Sequence, residues 1–489
     1  MSEPIRDATG MHSVREPIPS RAESRAYGKS LRTKVPRSSL GIWRPADNRP
    51  DPVDQVIESH VGRIPRLIGL RVARMTASPY GFLRGAANVC AYDCASLPAT
   101  GMVAIICGDA HLGNFGFYRS PEGELVLDLN DFDEAHPGFW EWDLRRLVAS
   151  VHVAGRQNQM REEQCSEAVA ACVNAYRDEL TQLAEIPLLA RSFVRVDLGH
   201  LNETVSEPSL RDEVVRAAAK ARTRTSDRAL PKLTRSQGGV YQIVENLPVT
   251  RKVAPARFDQ VGVALDDYLG TLRLQWARVV GAYCLMDVAH KVVGVGSVGL
   301  RAFLALLVGS SSDDVLFLQL KQARRSVIAP FIHGAHARHA HQGQRVVEYQ
   351  QALQTVSDPL LGWATLPPIM APGIATQLSA NSTMSGAPAI QVYVRQYRNM
   401  SGAVVIDGLD AGALVDYARV LGLLLAKSHA RTSGASRIAG YLGKSDAAAE
   451  ALVQFARAYA DQTESDHAAM CAAVRSGRLP NAATDGGAS

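Results

Sequence analysis

With 489 residues, 46% hydrophobic and 21% charged, the chain has the make-up of a globular protein of two to four domain-sized units with a large core. A formal net charge of +5 is too slight to predict a nucleic-acid partner, although it suits an anionic ligand such as a nucleotide. Seven cysteines without a CxxC pair argue against a disulfide scaffold. No uninterrupted apolar run of about 18 residues predicts a membrane span, and no apolar signal segment opens the chain, so a cytoplasmic setting is expected.

The first 50 residues are rich in Arg, Ser and Pro, which predicts a disordered arm with Lys29, Arg32, Lys34 and Arg37 as its basic part. From 52 to 76, Val53, Val56, Ile57, Val61, Ile64, Leu67 and Ile68 form an apolar stripe at helical spacing, and Ser78-Pro79 ends that helix. Another helix starts at Phe82-Leu83-Arg84-Gly85. Arg84 is a candidate phosphate ligand, because a guanidinium forks onto anionic oxygens. It is equally a candidate surface side chain lying over apolar neighbours.

Val103 to Ile106 reads as a buried strand, followed by the polar turn Gly108-Asp109-Ala110-His111-Leu112-Gly113-Asn114. A hairpin through Leu125-Val126-Leu127 leads to Asn130-Asp131-Phe132-Asp133-Glu134. Carboxylates, one His and one Asn thus sit on loops between apolar strands, where chemistry is commonly placed. Metal-assisted phosphoryl transfer needs a carboxylate to orient a hydroxyl, and an amide oxygen with a second carboxylate to hold Mg²⁺. Asp109 and Asn114 have the spacing of those first two groups in a kinase catalytic loop, and Asp131 falls where the second Mg²⁺ ligand belongs. Any one of these residues could be a turn or cap, so the joint pattern carries the expectation. Asp109 is assigned as catalytic base with His111 beside it. Asn114, Asp131 and Asp133 are assigned to metal, and Asp143 is expected to anchor the catalytic loop from the helix that follows.

Residues 140–290 read as mostly helical, with Leu144, Leu147, Val148 and Val151 at helical spacing. The basic stretch 222–256 is either a cover over substrate or a solvated charge run. From Lys291 to Lys321 come Gly294, Gly296, Ser297 and Gly299 in a GxGxxG, a short apolar segment, a turn at 310–314, and a strand ending in Lys321. A dinucleotide-binding unit would place a long helix after the glycines. The short strand–turn–strand spacing instead fits a kinase small lobe, with backbone N–H groups and Lys321 on phosphates. Glu348 is the only acid in the predicted helix 343–356 and is nominated as the partner of Lys321. His333, His336, His339 and His341 read as a solvated loop. A strand over 389–398, helices over 413–429 and 447–475, and a disordered tail from about 477 complete the pass.

The run Cys107 to Leu147 resembles the catalytic core of aminoglycoside phosphotransferases and choline-kinase-like enzymes, with their GDxHxxN, IDFxxA and DLA blocks. Together with Ser78–Gly85, Val293–Lys321 and Tyr393–Gly402, it is similar to an uncharacterised bacterial family, a domain of unknown function, grouped with the protein-kinase-like superfamily. The resemblance implies an α+β, protein-kinase-like two-lobe fold. Because the catalytic loop precedes the glycine loop, that fold is expected to be circularly permuted. The large lobe would span 51–290, the small lobe 291–402, and helices over 403–476 would return to the large lobe. The implied activity is ATP- and Mg²⁺-dependent phosphoryl transfer to a hydroxyl of a small-molecule acceptor, with neither nucleic acid nor membrane as partner. AMP transfer and a nucleotide-binding pseudokinase or scaffold remain open alternatives. A dehydrogenase built on the GxGxxG would leave the acids of 108–134 unexplained. Neither the acceptor nor the oligomeric state is assigned.

Overall fold

The structure, a computed structural model, describes Arg15 and residues 17–480, apart from 238–239, 293, 295, 312, 333–338, 369–388 and 433. Ser20 and Glu23 cap each other's backbone N–H groups and so start α1 (Arg21–Ser30). From here the stretch expected to be a disordered arm is docked. Leu40 is fully buried. Arg32 donates to the carbonyls of Gly440 and Tyr441, and Arg37 to that of Leu442. These carbonyls end a helix over Ala435–Leu442, and a last turn leaves such acceptors without intrahelical partners. The basic residues therefore cap a helix rather than mark disorder. At the other end, Leu479 is buried with Val53, Val56 and Phe82, so packing continues past the point expected for the tail.

Four short helices follow, α2 (Pro52–Ser59), α3 (Ile68–Thr76), α4 (Pro79–Gly85) and α5 (Ala87–Ala95). Asp51 caps α2 and Ser78 caps α4, each ahead of a proline at the first helical position. Then β1 (Val103–Ile106), β2 (Phe115–Arg119), β3 (Leu125–Leu129) and β4 (His136–Phe139) form two antiparallel pairs, β1 with β4 and β2 with β3. Their registers matter for the site. Ile106 lies opposite His136, and Phe115 opposite Leu129. The loops 107–114 and 130–135 therefore run in opposite directions between the same two pairs, which brings them side by side.

The chain continues through α6 (Trp140–Gln157), α7 (Glu162–Glu185), α8 (Leu188–Arg191), α9 (Leu198–Thr204) and α10 (Pro208–Arg222). Leu144, Leu147, Val148 and Val151 of α6 are all buried in the main core. Next come α11 (Ser226–Leu233), β5 (Thr234–Gln237), β6 (Val240–Ile243), β7 (Thr250–Lys252), α12 (Pro255–Leu269), α13 (Leu274–Val280) and β8 (Cys284–Lys291). The strands β9 (Ala302–Val308), β10 (Val315–Gln322), β11 (Gly362–Leu366) and β12 (Ile390–Gln396) complete a six-stranded antiparallel sheet, ordered β11-β12-β10-β9-β8-β7. Alternation along β9 places Phe303, Ala305 and Leu307 against Val261, Leu265 and Tyr268 of α12. Leu304 and Leu306 face Ala229 and Leu230 of α11.

This corrects the expected boundary at 290/291, because α11, α12, β7 and β8 belong with the sheet. Helical periodicity reports that a face is apolar, not which core will receive it. Within the basic stretch 222–256, α11 and β6 lie on the sheet through Ala229, Leu230 and Ile243, and β7 is the sheet's edge strand.

The remaining helices are α14 (Gln342–Leu353), α15 (Ala411–Thr432), α16 (Ala435–Leu442) and α17 (Ala447–Arg475). α15 packs so closely on α7 that a Cβ at Gly422 would collide with the carbonyl of Cys172. The fold is α+β. Among the described residues no helix is long and apolar enough to cross a membrane.

Candidate functional site

The paired loops are fixed from below by α6. Asp143 accepts the N–H of Cys107 at 2.6 Å and of Gly108 at 2.8 Å, the anchoring role expected of it. His429 of α15 stands behind, with Nε2 3.3 Å from Asp143 Oδ2 and Nδ1 2.7 Å from the Tyr176 hydroxyl. Gly108 has φ +75°, and a Cβ there would lie 2.5 Å from the Glu134 carbonyl, so a glycine is what lets the two loops touch. Asn114 ties them together, its Nδ2 donating to the carbonyls of Asp109 and Asp131 at 3.0 Å each. The only acceptor of that amide, Oδ1, is left for other partners.

Asp109 is held by Arg146 of α6, whose Nε donates to Oδ1 at 2.6 Å. Desolvation pushes the Asp109 carboxyl up to about 7, against the pull of Arg146. His111 accepts the Gly113 N–H on Nδ1 at 3.0 Å. Burial, reinforced by Arg146 and Arg84, holds its imidazole neutral. The proton must then sit on Nε2, which lies 3.9 Å from Asp109 Oδ2.

The second loop meets the sheet. Lys321 of β10 is 4% exposed, and its Nζ lies 3.1 Å from Asp133 Oδ2 and 3.9 Å from Asp131 Oδ1. Ser297 of the glycine loop donates to the same Asp133 oxygen at 3.1 Å. Desolvation opposes ionisation of Asp133, yet Lys321, Tyr393 and Ser297 outweigh it and hold the carboxyl below its ordinary value. Desolvation and then the charge of Asp133 push Asp131 the other way. Asp131 is the more open of the two, 46% exposed against 21%. Asp133 Oδ1 is buried without a partner among the described residues.

Arg63 and Ile64 clasp the glycine loop from outside, Arg63 donating to the carbonyls of Gly296 and Val298, and Ile64 N–H to that of Gly299. Gly299 needs its left-handed φ of +86°. Gly294 and Gly296 do not have such a need. A Cβ at 294 would meet nothing within 4 Å, and one at 296 only the Arg84 carbonyl at 3.9 Å. Arg84 itself lies with Cζ 5.9 Å from the Tyr80 ring, which meets His111 edge-on at 6.3 Å.

Glu348 is not where it was expected. Its carboxylate pairs with His339 Nε2 at 2.9 Å and Gln344 Nε2 at 2.7 Å, and it is 43% exposed. The reason is helix phase: α14 buries Arg345, Val346, Tyr349 and Leu353, and Glu348 falls off that face. Arg345 goes inward instead and donates to the carbonyls of Asp133, Ala135 and Arg324. His341 caps α14 by accepting the Gln344 N–H, whereas His333 and His336 lie outside the described residues.

Composition gave no hint of Arg345. Two other missed residues were readable in principle. In β12, Val392 and Val394 enter the core, so Tyr393 and Arg395 share the opposite face. Tyr393 pairs in register with Lys321, whose Nζ is 5.1 Å from its ring centre. Among the described residues no three His, Cys, Asp or Glu side chains form a ready metal centre, so Asp131 and Asn114 would share any cation with oxygens of a ligand.

A family model described as "Uncharacterized protein conserved in bacteria (DUF2252)" matches residues 63–473. No curated protein and no solved structure matches the chain. Since the match takes in both acidic loops, the glycine loop and Lys321, and most of the chain besides, this protein belongs to the DUF2252 family of bacterial proteins.

Proposed function

We propose that the chain is an ATP- and Mg²⁺-dependent phosphotransferase acting on a hydroxyl of a small molecule, built on a circularly permuted kinase-like fold. One observation carries the reading. Lys321 and Asp133, 188 residues apart in sequence, meet at 3.1 Å beside the glycine loop, with Asp131 at 3.9 Å. A nucleotide site of this type needs its lysine, metal acid and glycine loop together.

The residues fit the groups they would hold. Asp131, Asn114 Oδ1 and the unpartnered Asp133 Oδ1 are hard oxygens of the kind Mg²⁺ takes. Two or three such ligands leave room for phosphate oxygens and water. Bound Mg²⁺ would neutralise charge on the transferring phosphoryl group. Gly294 and Gly296 are glycines the fold itself does not require, which suits backbone N–H groups that a phosphate approaches closely. Lys321 brings a buried ammonium to the same place.

On the other side, Asp109 accepts the proton of the attacking hydroxyl. Arg146 occupies Oδ1 and fixes the carboxylate's orientation. A carboxyl lifted to about 7 is a stronger base than an ordinary aspartate and is still half ionised at neutral pH. His111, neutral with its proton on Nε2, is a donor beside the base rather than a competing acid.

The test is ATP binding by calorimetry, with and without Mg²⁺, on the wild type and on Asp131→Ala, followed by product analysis. Mg²⁺-dependent binding that the substitution abolishes supports the site. ADP as product supports phosphoryl transfer, and pyrophosphate release would favour AMP transfer. Binding without turnover would leave a nucleotide-binding scaffold, and no binding at all would sink the proposal.

A further inference from the structure

We infer that the acceptor is an anionic hydroxyl compound, bearing a phosphate or carboxylate, and that Arg84 on α4 binds this charge beside the catalytic base. The inference rests on the phosphotransferase reading and adds the substrate class to it.

Arg84 is a cation without a counterion. No carboxylate lies within ion-pair distance of it among the described residues, and its Nε is buried with no hydrogen-bond partner. Its one specific contact is the face of Tyr80, at 5.9 Å. Only Nε is buried without a partner; the two outer nitrogens of the fork stay open, as an incoming anion requires. A desolvated N–H without an acceptor is unfavourable in the free protein and is satisfied when an anion arrives. Phosphate and carboxylate match the planar fork of arginine, two N–H groups to two oxygens.

The position selects the acceptor rather than the nucleotide. The Arg84 backbone lies beside the glycine loop, its carbonyl 3.9 Å from a Cβ at Gly296. The side chain lies over Tyr80, whose ring meets His111 at 6.3 Å. His111 in turn is 3.9 Å from Asp109. The carboxylates near the phosphate side, Asp131 and Asp133, are engaged by Lys321. Asp109 is engaged by Arg146, which also donates to the Leu83 carbonyl, one residue before Arg84. The wall facing the base therefore keeps one uncompensated positive charge, and a neutral acceptor would leave it so.

The experiment uses inorganic phosphate as the probe. Its binding to the full chain is measured by calorimetry with Mg²⁺ and a non-hydrolysable ATP analogue saturating, for wild type, Arg84→Gln and Arg84→Lys. Unfolding temperatures confirm that each variant folds. The expected result is a phosphate site that coexists with the nucleotide, weakened tenfold or more in Arg84→Gln and less in Arg84→Lys. Equal phosphate affinity in wild type and Arg84→Gln overturns the inference, as does phosphate that only competes with the nucleotide. Failure of the analogue to bind is a separate result. It removes the phosphotransferase reading, and with it the assignment of the anion as acceptor.

Discussion

Arg345 gives the sharpest test of how the 130–135 loop is held, because it, and not the expected Glu348, is the residue of α14 that reaches that loop. Arg345 is 1% exposed and donates to three carbonyls, of Asp133, Ala135 and Arg324. Hydrogen bonds from a charged donor are each worth about 1.5–3 kcal/mol. Replacement by Met removes these three and a fourth, from Nε to the Gln342 side-chain oxygen at 2.9 Å, and leaves three backbone carbonyls to find water or go unpaired. Relief of the buried guanidinium's desolvation offsets part of this loss, a return of several kcal/mol at most. The expected net destabilisation of Arg345→Met is about 3 kcal/mol, read as a shift of the urea midpoint at unchanged slope. Because two of the three acceptors lie in the 130–135 loop, Mg²⁺-dependent nucleotide affinity should fall by about tenfold or more, the scale of losses on removing a residue that orients a metal ligand. Glu348→Ala should change stability by about 0.5 kcal/mol or less, since its half-open carboxylate meets only His339 and Gln344. If Glu348→Ala impairs nucleotide binding more than Arg345→Met does, Glu348 is the lysine's partner after all and the reasoning from helix phase is refuted.

Three further predictions probe the loops. Since Asp109 must be ionised to take a proton, kcat/KM should climb with pH through an acid limb near 7. Arg146 opposes the upward shift, so Arg146→Gln should move that limb to higher pH, and a limb that stays in place would show that Asp109 is not the base. Asp143→Asn keeps shape but can accept well on only one oxygen, leaving the Cys107 or Gly108 N–H unpaired at about 1–3 kcal/mol, and steady-state kinetics should show kcat reduced more than nucleotide affinity. Gly294→Ala has open space and should leave thermal unfolding unchanged while weakening ATP in calorimetry. Gly108→Ala, at φ +75° and 2.5 Å from a carbonyl, should destabilise the chain by about 1–3 kcal/mol.

Local signals were legible wherever one short segment held all the information. The apolar runs 103–106 and 315–320 are strands and the two acidic turns lie between strands as expected, and Lys321 comes within 4 Å of Asp131 and Asp133. What failed needed knowledge of a partner. Arg32 and Arg37 look like a solvated arm until the carbonyls at 440–442 are known. Residues 284–290 look like the end of one more helical stretch until β9 is there to pair with β8. Glu348 was chosen because it was the only acid in its helix, a criterion blind to which face is buried. Cross-chain pairing, not propensity, separates the correct readings from the incorrect ones.

The order of the chain makes α15 a late arrival that the early loops depend on, and this has a measurable consequence. Lys427 of α15 lies against Asp128 of β3, and both are 1% exposed. Two positions further along α15, His429 supports Asp143 beneath the 107–114 loop. Besides Lys427, the Asp128 carboxylate has the Leu129 N–H at 2.9 Å, the Thr355 N–H at 3.4 Å and the charge of Arg431, which makes no ion pair with it. Lys427→Met would strand a buried anion, and breaking such a pair from one side costs about 3–5 kcal/mol. Replacing both members removes the stranded charge, so Asp128→Asn with Lys427→Met should recover most of that loss in urea titrations. A simple packing role for Lys427 predicts the opposite, a double variant no more stable than the single one. If recovery is seen, the segment after residue 411 is an integral brace of the acidic loops rather than a separable appendage. A chain truncated before α15 should then fail to bind nucleotide even though it retains Asp109, Asn114, Asp131 and Lys321.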